Sequence, residues 1–190
     1  MKKLLLALCL SPTVAAAGTF DIAYTSLERV IVMSVMTESG RHYLQGGPDD
    51  TCSYAFLQEP RISAAEGRLS IRFLFAGRAG KQVAGNCVGP GDNFDVVVSG
   101  VPRYASGEIF LDEATFTADN KLFDVFSQLI ERQLEPLLRV PLEASLQQHL
   151  AMLSSAGAGR VEMNALDVTS IALGATSLTL VADYRIVVAP

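Results

Sequence analysis

Residues 119–153 read DNKLFDVFSQLIERQLEPLLRVPLEASLQQHLAML, and the reading of this stretch decides the fold. Apolar side chains recur every three or four positions: Leu122, Phe123, Phe126, Leu129, Ile130 and Leu134, then Leu137, Leu138, Leu142, Leu146, Leu150 and Leu153. Asp124, Gln128, Glu131, Arg132, Glu135, Arg139, Glu143 and Gln147 occupy the other face. That spacing is the signature of an amphipathic helix, and Asp119 or Asn120 would cap it. Unbroken, it would run about 50 Å at ~1.5 Å per residue. Pro136 and Pro141 each lack a backbone donor and crowd the preceding turn. The expectation is one long helix, kinked or broken near 135–141.

The flanking segments alternate instead. Upstream, Phe20, Ile22 and Tyr24 alternate with polar or small neighbours, as in a strand. Residues 27–36 read as a shorter helix with Leu27, Val30, Ile31, Ser34 and Val35 on one face, stopped near Gly40. A hairpin is expected over 41–60 around Gly46-Gly47-Pro48. Leu69, Ile71, Phe73 and Phe75 mark a strand, and a glycine-rich connection follows over 77–91. Phe94, Val96 and Val98 mark the next strand, and Ile109, Leu111, Ala114 and Phe116 another. Downstream, the Ser-Ser-Ala-Gly-Ala-Gly run at 154–159 stops the helix, and two alternating strands close the chain. A long helix buries a wide apolar face only against a sheet. The expected fold is therefore α+β: a highly curved antiparallel sheet wrapped around one long amphipathic helix, with a shorter helix near the N-terminus.

The first 17 residues have the form of a cleavable signal peptide. Lys2 and Lys3 precede an apolar run at 4–10, and Ala15, Ala16 and Ala17 supply the small residues of a cleavage site. The run is too short to span a bilayer, which needs about 20 apolar residues. The alternative is a lipoprotein signal with Cys9 as the lipidated residue; Leu8 stands before it where a small residue is wanted. Residues 18–190 then form a single domain, placed in the periplasm or outside the cell. Cys52 and Cys87 remain as an even pair, which in an exported protein reads as one disulfide. Two free thiols are the alternative.

The 190 residues carry a net charge of −5, and removal of the signal takes two lysines and no acids. The chain lacks the basic footprint of a nucleic-acid-binding protein. No catalytic motif stands out. Gly-x-Ser-x-Gly is absent, and neither His42 nor His149 has a second ligand at metal spacing. Asp49-Asp50 and Asp112-Glu113 read as solvated turn and strand-edge residues rather than acid–base pairs. No enzyme, metal or cofactor is expected. What remains is an apolar surplus, consistent with a solid core or with an apolar ligand site.

The order of elements bears on that choice. Gly107-Glu108-Ile109-Phe110-Leu111, the leucine-rich stretch 122–153 and Leu178-Thr179-Leu180 together resemble the tubular lipid-binding (TULIP) superfamily, in particular its small single-unit bacterial periplasmic members. The resemblance implies a long helix in a curved sheet around an apolar channel, and no catalytic residues. On this reading the chain binds a lipid or another hydrophobic molecule. The expected lining is Leu122, Phe126, Leu129, Ile130, Leu134 and Leu138 from the helix, with Phe73, Phe75 and Phe116 from the sheet. A cell-envelope interaction or assembly protein with a closed core and a protein partner is the alternative, and a histidine-dependent hydrolase is a third reading.

Overall fold

The computed structural model describes residues 13–155 and 160–189. The expected signal's lysines and apolar run, Cys9 and the glycine break at 156–159 lie outside the described residues. The chain is mostly β, with 59% of residues in strands and 22% in helices. Its elements are β1 (Thr13–Ala23), α1 (Tyr24–Ser34), β2 (Arg41–Gln45), β3 (Ser53–Ala65), β4 (Arg68–Ala79), β5 (Lys81–Val83), β6 (Asn86–Val88), β7 (Gly91–Ala105), β8 (Glu108–Thr117), α2 (Phe123–Leu134), β9 (Arg139–Val140), α3 (Leu142–Ser155), β10 (Arg160–Leu173) and β11 (Ser177–Ala189).

One long helix over 119–153 is not there. The break expected near 135–141 is complete, and the stretch forms α2, a 3-10 turn at Glu135–Leu138, two extended residues and α3. The prolines account for the break. Pro136 stands in the first turn of the 3-10 segment. Pro141 forces the residue before it out of the helical region, so Val140 is extended. Arg139 and Val140 pair antiparallel with Phe110 and Ile109 as a short edge strand. Pro141 then serves the start of α3, where its carbonyl accepts the Ser145 N–H at 3.0 Å. The two helices go separate ways: α2 lies on one sheet and α3 against β10 of the other. The expectation of one sheet wrapped around one long helix is thereby corrected to a curled, mainly antiparallel β fold with three short helices.

Six strands form the larger sheet in the order β2-β3-β4-β7-β8-β9, and three form the smaller, β1-β11-β10. Strands β3, β4, β7 and β8 are an antiparallel meander. Its two-residue turns, Glu66-Gly67 and that at Ser106-Gly107, hold both central residues at positive φ, the geometry that matches the strand twist. The inward faces of β3, β4 and β7 contribute Leu57, Phe73, Phe75, Val96 and Val98, and α2 closes over them with Phe126, Ile130 and Leu134 at i, i+4 and i+8. A second cluster joins the sheets through Tyr24, Leu69, Leu178 and Leu180.

The expected short helix is α1, which touches both β1 and β3. The expected disulfide is present: Cys52 and Cys87 lie 2.09 Å apart at sulfur and 5.3 Å at Cα. It tethers the β5–β6 hairpin, which fills part of the expected glycine-rich connection, to the start of β3. The expected cleavage point after Ala17 falls inside β1, where Ala15, Ala16 and Ala17 pair with Arg185, Tyr184 and Asp183. Among the described residues, no helix is long and apolar enough to cross a membrane.

Candidate functional site

All nine residues expected to line a ligand channel come together, but as packed core. Phe73, Phe75, Phe126, Ile130, Leu134 and Leu138 are buried in one cluster, with Phe116, Leu122 and Leu129 packed against it. The Phe75 ring centre sits 5.0 Å from that of Phe126 and 4.6 Å from that of Phe94. Gly77 makes room for this: a Cβ there would stand 2.6 Å from the Phe75 ring. Interiors this close leave little space between side chains.

An apolar cavity of about 130 Å³ opens elsewhere, where the two sheets meet under α1. Helix α1 lends it Leu27, Val30 and Ile31, the face that the spacing of apolar residues had marked. The larger sheet adds Ile62, Leu69, Ile71, Pro102 and the run Ile109, Phe110 and Leu111. Leu138, Val140 and Leu142 come from the broken helix, and Ile22 and Leu178 from the smaller sheet. All fifteen lining residues are apolar. Of the nine residues expected from sequence, Leu138 is the one that lines it.

Beside this cavity runs a groove of about 440 Å³ between the smaller sheet and α3. Phe20, Leu146, Leu166, Val168 and Leu180 line it, with Asp21 the one charged residue among the described lining. Ile22 and Leu142 line both spaces and so stand at their junction. A third, more polar cleft of about 630 Å³ lies between β8 and α2, lined by Phe116 and Leu138 together with Asp112, Glu113, Glu131, Glu135 and Arg139.

Helix α1 covers the cavity and is tied down through Tyr24 and Glu28. It has no side-chain N-cap and no acidic residue in its first turn. Glu28 Oε1 accepts the Ile62 N–H at 2.8 Å, beside an irregularity of β3 between Gln58 and Arg61. Tyr24 donates its hydroxyl to the Gly174 carbonyl at 2.9 Å, and burial pushes its pKa up. Near the groove, the Tyr104 hydroxyl donates to the Leu166 carbonyl at 3.0 Å. Burial raises the Tyr104 pKa first, and the carboxylates of Glu143 and Asp167 add to it.

His42 Nδ1 is 3.3 Å from the Val35 carbonyl, and its buried Nε2 has no hydrogen-bond partner. The side chain of His149 lies outside the described residues. Asp50 caps its own turn by accepting the Gly47 N–H at 2.7 Å. Among the described residues, no three histidine, cysteine or acidic side chains gather at metal-binding distance.

Sequence reasoning did not locate the cavity because its walls come from segments far apart in the chain. Ile62, Pro102, Ile109 and Leu178 each look like ordinary strand residues until the two sheets meet. No protein-family model matches the chain, and no curated protein does.

Proposed function

We propose that this chain is an exported, non-catalytic binding protein for a hydrophobic small molecule, held in the cavity under α1 and in the adjoining groove. The wholly apolar lining of the cavity carries the reading. Apolar cavities of about 150 Å³ stay dry and take up small apolar ligands. Together the cavity and groove reach the size of ordinary ligand sites, roughly 300–1,000 Å³. Export is supported by the signal-like first 17 residues and by the Cys52–Cys87 disulfide.

The test is mass spectrometry of the gently purified protein under native and then denaturing conditions. An extra mass released on denaturation and extracted into organic solvent is expected. A bare polypeptide in both conditions counts against the proposal.

One observation favours a second reading, a cell-envelope assembly protein. Helix α1 also exposes Val32 and Met33, neither of which lines the cavity, the latter 73% accessible. Such a patch fits a protein contact. On that reading the purified protein carries no ligand, and Met33→Glu abolishes association with a partner protein.

A further inference from the structure

The charge around the cavity and groove points to the kind of molecule they take. Among the described residues, no lysine, arginine or histidine lines either space, and Asp21 is the one charged residue that does. Asp21 is held by Thr179, whose hydroxyl donates to its carboxylate. Glu143 and Asp167 act on Tyr104, whose hydroxyl is tied to Leu166 on the groove wall. Arg139, next to the lining residue Val140, is engaged elsewhere: it lies 3.6 Å from Glu108 and over the Phe110 ring at 5.1 Å. The whole chain adds a net charge of −5.

A carboxylate or phosphate held here would meet no cation among the described residues and would face the Asp21 carboxylate at the exposed side of the groove. A like charge close by disfavours an anion. The local carboxylates add repulsion. The volume restricts the ligand further. The inner cavity, at about 130 Å³, compares with a cavity of about 150 Å³ that holds one benzene, so it admits the end of one aliphatic chain and no fused ring system. The elongated remainder lies in the groove beyond Ile22 and Leu142.

Resting on the proposed function above, we infer that the ligand is a neutral, single-chain aliphatic molecule, taken without recognition of an anionic head group. Its chain end occupies the cavity under α1, and its uncharged polar end faces the Asp21 side of the groove.

The experiment compares 1-decanol with decanoate, matched in chain length, by calorimetric titration of the oxidised full chain at pH 8. Decanol is expected to bind at least fivefold tighter than decanoate. A smaller ratio, or tighter decanoate, overturns the inference and leaves the proposed function standing. Binding by neither overturns both. Asp21→Lys, a change at an exposed position, is expected to narrow the ratio in favour of decanoate. An unchanged ratio in that variant overturns the electrostatic basis of the preference.

Discussion

Glu28 reaches from α1 to accept the Ile62 backbone N–H of β3 at 2.8 Å. Its other oxygen lies 3.6 Å from Arg61, and its side chain is 15% exposed. The bond joins α1 to β3 and satisfies a backbone donor beside an irregular stretch of strand. Hydrogen bonds to a charged partner contribute about 1.5–3 kcal/mol. Glu28→Ala is therefore expected to lower stability by about 1–3 kcal/mol in urea unfolding. A loss under ~0.5 kcal/mol would show that the bond does not hold α1 in place.

The Cys52–Cys87 disulfide closes a separation of 35 residues. By the loop-entropy relation, opening it costs about 3–4 kcal/mol. Unfolding midpoints with and without reductant, and of the Cys52→Ser/Cys87→Ser double variant, check this. Equal midpoints would mean that the tether contributes nothing.

Phe126 meets the Phe75 ring inside the packed cluster and is 5% exposed. Phe126→Ala should cost about 3–5 kcal/mol by loss of transfer energy and creation of a void. With the ligand under α1, the effect of this variant on ligand affinity, measured below the unfolding transition, is small. A ligand-binding defect with unchanged stability would return the site to the helix–sheet core.

Tyr24 and Tyr104 both have pKa values raised above the ordinary 10.0, Tyr24 by burial and Tyr104 by burial and then by nearby carboxylates. A raised folded-state value means that the unfolded chain loses its proton first. The stabilising contribution is thus complete below about pH 10 and is lost as pH rises through the folded-state values. Wild type should lose stability above pH 10 more steeply than the Tyr24→Phe/Tyr104→Phe double variant. Parallel slopes for the two would contradict this assignment.

Much of the fold was legible locally. The alternation of Leu69, Ile71, Phe73 and Phe75 marks β4, and that of Phe94, Val96 and Val98 marks β7. Even the β-branched stretch of α1 declares its helix through Leu27 and Ile31 on one face. The break at Pro136 and Pro141 was expected; the departure is that the two helical segments do not bend along one sheet but part to different ones. Apolar periodicity continues across the prolines because both α2 and α3 need an apolar face, and periodicity does not record that the faces meet different sheets. The prolines were visible, but the extended residues between the helices owe their place to pairing with Ile109 and Phe110, a partner some 30 residues away in sequence. The same holds for the candidate site. Helix spacing correctly gathered Phe126, Ile130 and Leu134 on one stripe, yet which stripe faces a void depends on how two sheets close against each other. Leu27, Val30 and Ile31 carried the one local signal that reaches the cavity.

The most direct test uses the absence of tryptophan from the chain. Val30 lines the cavity and is 52% exposed, so Val30→Trp places a single reporter at its rim. An apolar ligand site under α1 predicts a blue shift of emission that saturates as 1-decanol is titrated and that Leu27→Phe, which narrows the cavity, weakens. Emission that does not respond, or drifts without saturating, would contradict such a site.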